Sequence, residues 1–395
     1  MRTPVPEPEY PSDAGRSLAV FSLDQLQQLL STLQADGFVV IGPTVRDRTV
    51  VYAEISSIGE LPAGELDEQK PGSYRLEKRG DAVLFGHAVG PQSVKSYLFP
   101  SAVRLWSARP RSGGFDFDPE HEAPPRLALI GVRPCELAAV AIQDRVFLGG
   151  PYIDPIYASR RQGMFVVAVN CGRAGGTCFC ASMGTGPAAT SGFDLALTEI
   201  VESGRHEFVV ETGSAAGAAL LARLPHGDAG VETAARAAAI VRETAAHMGR
   251  ALETAGLRDV LYANAEHPRW EQVAKRCLAC TNCTMVCPTC FCSTVEDVTD
   301  LSGERAERWR RWDSCFTLSF SYIVGGSVRA SAMSRYRQWL THKLGAWYDQ
   351  FGSSGCVGCG RCITWCPAGI DITEEVAAIR GDGNPALAGK TSTEV

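Results

Sequence analysis

Leu23, Leu26, Leu29, Leu30 and Leu33 recur at the helical period with polar residues between them, and Ser22 and Gln25 are spaced to close a capping box at the start. Gly37 follows that helix, and Phe38–Ile41 and Val50–Ile55 then read as strands. The stretch from Arg109 to Arg126 is dense in Gly, Pro and charge and reads as a loop. Leu127–Val132 and Phe165–Asn170 are unbroken apolar runs of strand length, as expected of strands buried on both faces. Cys135 falls in the turn after the first run, Glu136–Asp144 can form a helix, and Cys171 ends the second run. The Ala-rich segment from Val231 to Leu257 predicts one long helix, which marks the boundary before a cysteine-rich C-terminal part. Residues 1–16 and 381–395 are polar and rich in Gly, Pro, Ser and Thr, which predicts disordered tails.

Composition narrows the class. At 395 residues the chain can bury a core in two or three domains, and its formal charge of −6 is too modest to argue for nucleic acid as a partner. The apolar runs are too short to span a bilayer, and the polar N-terminus shows no signal-like h-region, so the expected compartment is the cytoplasm. Fifteen cysteines in a chain of this kind point to metal binding rather than disulfides. None precedes Cys135, four lie between Cys135 and Cys180, and eleven lie between Cys277 and Cys366.

Cys277, Cys280, Cys283 and Cys287, followed by Pro288, fit the spacing C-x₂-C-x₂-C-x₃-C-P; so do Cys356, Cys359, Cys362 and Cys366, followed by Pro367. Three closely spaced thiolates on a tight loop reach three irons of a cubane, while the fourth faces away and, in two-cluster ferredoxins, serves the other cluster. On that rule Cys277, Cys280, Cys283 and Cys366 hold one [4Fe–4S] cluster, and Cys356, Cys359, Cys362 and Cys287 hold a second. Zinc knuckles also use C-x₂-C pairs, but a zinc site has no use for four cysteines in one run ending in proline. Sixty-eight residues separate the motifs, and eight Lys/Arg stand against three Asp/Glu between Gly303 and Lys343, with Trp309, Trp312, Trp339 and Trp347 nearby. This insertion is either a docking surface for an acidic partner or a set of solvated helices with Trp in the core. The fold expected is an α/β N-terminal part (17–262) followed by a mostly helical domain (263–380). That domain contains a split bacterial-ferredoxin-like 2[4Fe–4S] unit (α+β) with a helical insertion at 293–355.

Cys135, Cys171, Cys178 and Cys180 form a second constellation, two of them placed after strands where open α/β sheets gather functional groups. Our preferred reading is a third cluster; the alternative is buried, inert thiols. Cys290, Cys292 and Cys315 are either ligands of a further site or packing residues. Gly184-Thr-Gly186-Pro-Ala-Ala189 follows a cysteine loop rather than a strand and is not a dinucleotide fingerprint. No P-loop and no catalytic triad is visible.

The chain resembles the β-subunit family of cytoplasmic NAD(P)-linked [NiFe] hydrogenases (sulfhydrogenases), which is similar to the A component of anaerobic sulfite reductase. The resemblance is carried by Pro71-Gly-Ser-Tyr-Arg-Leu76, Gly131-Val-Arg-Pro-Cys135-Glu-Leu137, Cys178-Phe-Cys180 through Pro187, Cys287-Pro-Thr-Cys290-Phe-Cys292, and Arg335-Tyr-Arg-Gln-Trp339 with His342-Lys343. It implies a non-catalytic subunit that relays electrons from or to a flavin/NAD(P)H diaphorase subunit, with a hydrogenase or sulfite-reductase subunit as the other partner. A competing expectation is a sulfur or polysulfide reductase acting through Cys290, Cys292 and Cys315.

Overall fold

The computed structural model describes residues 18–119, 124–202 and 204–381. The tails expected at 1–16 and 381–395 lie outside the described residues, Gly381 excepted.

Among the described residues the largest sheet has eight strands. They are β1 (Ala19–Ser22), β2 (Val39–Arg46), β3 (Thr49–Glu54), β8 (Leu127–Val132), β9 (Phe165–Val169), β10 (Leu195–Glu202), β11 (Arg205–Thr212) and β12 (Gly227–Asp228). Their order is β12-β1-β11-β10-β9-β8-β2-β3. The central strands β10, β9, β8 and β2 run parallel, and the flanks are antiparallel. Period-two alternation explains the apolar runs. Ala128, Ile130, Phe165, Val167 and Val169 join a core under the helix Leu23–Ala35, while Leu129, Val166 and Ala168 join the opposite core beneath the helix Pro134–Phe147. The first helix starts as expected: the Gln25 amide donates to Ser22 Oγ, and the Ser22 amide to Gln25 Oε1.

At the end of β8 the pairing slips between Ile130 and Val132, where Gly131 has φ +77°. The extra residue turns Val132 onto the face that Leu129 occupies, against the alternation, and so re-aims the chain that carries Arg133 and Cys135. Cys135 lies in the first turn of the helix Pro134–Phe147 rather than in the turn before it.

Three expectations fail here. The stretch 109–126 is not a plain loop: β6 (Ala102–Arg111) and β7 (Gly114–Pro119) form a hairpin. The insertion 293–355 is not wholly helical, because β13 (Ser293–Thr299) and β14 (Ala306–Trp312) begin it and join that hairpin in the order β13-β14-β6-β7. The Ala-rich helix stops at Ala246, where the chain leaves helical geometry to cross the cysteine loop. A Cβ at Gly249 would lie 2.3 Å from the Gly175 carbonyl oxygen, and the Arg250 amide donates to Cys178 O at 2.9 Å. A further hairpin, β4 (Glu65–Lys70) with β5 (Ser73–Lys78), reaches the C-terminal part through Gly72, whose amide donates to Ile363 O.

The insertion's basic residues are largely matched at home. Arg308 pairs with Asp297 directly across the ladder, Arg311 with Glu296, and Arg310 with Asp154. Trp339 and Trp347 are buried, and Trp312 stacks on Phe99. No helix among the described residues is long and apolar enough to cross a membrane.

Candidate iron–sulfur centres

The two C-x₂-C-x₂-C loops share one backbone. Each turns through two left-handed residues after its first cysteine and enters a four-residue helix, Asn282–Met285 in one and Arg361–Thr364 in the other. The left-handed positions are Ala279 (φ +50°) and Thr281 (φ +71°) in the first loop, and Gly358 (φ +63°) and Gly360 (φ +76°) in the second. Such turns aim consecutive N–H groups inward, forming a nest for an anionic ligand. The Ala279 amide lies 3.4 Å from Cys277 Sγ, and the Gly358 amide 3.4 Å from Cys356 Sγ.

Cys277, Cys280 and Cys283 line one cavity together with Cys366, which comes from the other motif. Cys356, Cys359 and Cys362 line a second cavity together with Cys287. The fourth cysteines are therefore exchanged between the two sites. Among the described residues no three His, Cys, Asp or Glu side chains close in on a point as the ligands of a single ion do; the thiols ring open spaces instead. Four thiols per cavity, with inward N–H groups, fit a cubane core and its anionic sulfides.

The two sites differ in their surroundings. The first reaches the surface, with Cys280 exposed and Leu278 68 % exposed. At the second, Cys287, Cys356 and Cys359 are buried, and burial pushes the Cys356 thiol up to about 12. Thiols held in such surroundings ionise when a metal displaces their protons.

The remaining predicted cysteines adjoin the second site. Phe179 N donates to Gly358 O at 2.8 Å, Thr185 Oγ1 to Val357 O at 2.7 Å, and the Cys178 thiol to Cys359 O at 3.8 Å. This contact explains the glycines: a Cβ at Gly358 would meet the Phe179 carbonyl oxygen at 2.6 Å, and one at Gly360 would meet that of Thr177 at 2.4 Å. Cys135, Cys180 and Cys359 share one apolar cluster. Burial, then the neighbouring Cys171, pushes the Cys178 thiol up to about 12; burial, then Cys178 and Cys171, raises that of Cys180. Cys180 thus neighbours Cys178 and Cys171, which follows β9, as well as Cys135 in the helix that follows β8.

The three extra cysteines divide. Cys290 beside Cys287, and after it the Lys343 charge, hold the Cys287 thiol well below its ordinary range. Cys292 meets Cys315, whose hydrogen bond lowers the Cys292 thiol to about 7.

Sequence reasoning missed the charged groups around these sites. Lys343 is 5 % exposed, and its Nζ donates to Cys287 Sγ at 3.1 Å, Thr289 Oγ1 at 3.0 Å and Gly355 O at 3.2 Å. Burial disfavours its charge, but the thiols of Cys287, Cys290, Cys356 and Cys362 outweigh this and raise its pKa well above the usual value. Lys95, also buried, donates to Cys287 O at 2.9 Å and lies 3.8 Å over the Trp312 ring. Arg361 donates to Glu136 Oε1 at 2.7 Å and to Gly90 O at 2.8 Å, tying the second loop to the N-terminal part. A signal existed for Lys343: Tyr336, Trp339, Leu340, Leu344 and Trp347 form a buried stripe, and Lys343 falls on it.

Fold and sites together define an iron–sulfur protein with 4Fe–4S-type clusters in its C-terminal part; the 4Fe–4S dicluster domain family matches residues 276–370. Sulfhydrogenase 2 subunit beta of Pyrococcus furiosus is 32 % identical to the chain over 258 residues, 65 % of this chain and 74 % of that protein. The chain belongs to the family of that sulfhydrogenase beta subunit.

Proposed function

We propose that this chain is an electron-relay subunit of a larger oxidoreductase. Cys277, Cys280, Cys283 and Cys366 hold one [4Fe–4S] cluster, Cys356, Cys359, Cys362 and Cys287 hold a second, and Cys135, Cys171, Cys178 and Cys180 hold a third. The observation that carries this is the pair of cavities, each ringed by three cysteines of one motif and one of the other. The clusters supply one-electron carriers; the protein supplies thiolates, inward N–H groups and a dry path. An exposed first site, a buried second site and an adjoining cysteine loop make a sequence of stations from the surface into the N-terminal part. One end of the relay faces a flavin/NAD(P)H diaphorase subunit; the other faces a hydrogenase or sulfite-reductase subunit. A reducing cytoplasm suits fifteen free thiols. Anaerobic reduction of the full chain is expected to give EPR signals of interacting [4Fe–4S]⁺ centres. A preparation reconstituted with iron and sulfide that stays colourless and EPR-silent would overturn the proposal.

A second reading is favoured by the Cys292–Cys315 contact, where a thiol lowered to about 7 stands partly open to solvent. There the chain would reduce sulfur–sulfur bonds. The expected result under that reading is loss of such activity in Cys292→Ser within the complex; full activity would exclude it.

A further inference from the structure

We infer that Lys343 sets the reduction potential of the second site, holding it up against the burial that would otherwise depress it. This rests on the proposed cluster at Cys356, Cys359, Cys362 and Cys287.

A cluster bound by four thiolates is anionic, and reduction adds one more negative charge. Burial penalises that charge, so a dry site is harder to reduce than an exposed one. A cation in contact with a ligand sulfur acts in the opposite sense, and its effect is strongest where water does not screen it. Both conditions meet at the second site. Lys343 lines the cavity itself, and its Nζ is 3.1 Å from Cys287 Sγ. Its other two hydrogen bonds, to Thr289 Oγ1 and Gly355 O, are to neutral oxygens. The Cys287 thiolate is therefore its anionic hydrogen-bond partner. Thr289 Oγ1, itself 3.1 Å from Cys287 Sγ, and the π turn His342–Ala346 fix where the ammonium sits. Among the described residues no lysine or arginine lines the first cavity. One station of the relay is buried with an ammonium in its lining; the other is more open and has none in its lining. Without the ammonium the buried station would become an uphill step between its neighbours. Lys343 is in this sense a tuning residue, and transfers no proton or atom.

The test uses the full chain, purified anaerobically. Lys343→Met removes charge and donor; Lys343→Gln removes the charge and keeps a donor. Iron and labile sulfide are measured first, and an EPR-monitored redox titration follows. With iron and sulfide equal to wild type, one centre is expected to become at least tenfold harder to reduce in both variants, about 59 mV for one electron, while another stays put. Unchanged potentials at full cluster content would overturn the inference. Should either variant lose clusters, wild-type protein labelled with ¹⁵N-lysine decides. Pulsed EPR of the reduced centre is expected to show a ¹⁵N coupling that persists in labelled Lys95→Gln, whose native ammonium reaches the Cys287 carbonyl oxygen and not the sulfur, and its absence at full cluster content would contradict the contact. Failure of the underlying reading would look different: wild type itself would lack the second set of iron and sulfide.

Discussion

Cys287 and Cys366 carry the finest detail of the site, because each leaves its own motif to line the cavity of the other. The exchange was legible in the sequence, since a cysteine four positions beyond a tight loop, followed by proline, points away from it. Cys366→Ser should accordingly damage the site of the first loop, and Cys287→Ser that of the second. EPR of each reduced variant checks this, and loss of the signal assigned to the variant's own loop would contradict the exchange. The burial of Lys343 is legible in its apolar stripe, but its role is not, because the thiolate it meets lies 56 residues earlier in the chain. His87 is a second buried titratable group. Burial, then the Arg133 charge, holds its pKa well below 6.5, and Nδ1 has no hydrogen-bond partner among the described residues. Below about pH 6.5 the unfolded chain takes up a proton there that the folded chain refuses, so stability falls as pH falls, by at most about 1.4 kcal/mol per pH unit. His87→Leu should lose less Tm than wild type between about pH 7.5 and 5.5; equal losses would count against this.

At the scale of elements, the two cysteine loops have the same backbone but different neighbours. The first is open, so Ala279 and Thr281 occupy left-handed positions at a modest conformational cost; the second lies against residues 177–180, where only glycine fits. Gly360→Ala is therefore expected to cost more than the ~1–3 kcal/mol of a strained residue and to deplete iron at the second site, whereas Ala279→Gly leaves iron content intact. Thermal unfolding with iron analysis measures both. Buried strands β8 and β9 and the capped first helix were readable because their signals are local: an unbroken apolar run, and a period with a cap. The hairpin β6–β7 was not, because its strands are polar and β6 gains its order from β14, about two hundred residues away. The Ala-rich helix was overestimated for a related reason. Propensity favours continuing past Ala246, but docking of Gly249 and Arg250 on the cysteine loop ends it.

For the whole molecule, the second sheet draws two strands from before residue 120 and two from the insertion, so the parts expected at 17–262 and 263–380 are bound together. The buried Arg361–Glu136 pair does the same near the second site, with Tyr52 Oη donating to Glu136 Oε2 at 2.5 Å. That joint brings Cys359 beside Cys135 and Cys180, which no spacing in the sequence could reveal. A relay of three iron–sulfur stations is checked by the iron and acid-labile sulfide content of the anaerobically reconstituted full chain. Three cubanes require about twelve of each per chain, four for every cubane. About eight of each would remove the station at Cys135, Cys171, Cys178 and Cys180, and zinc without labile sulfide would rule out an iron–sulfur relay altogether.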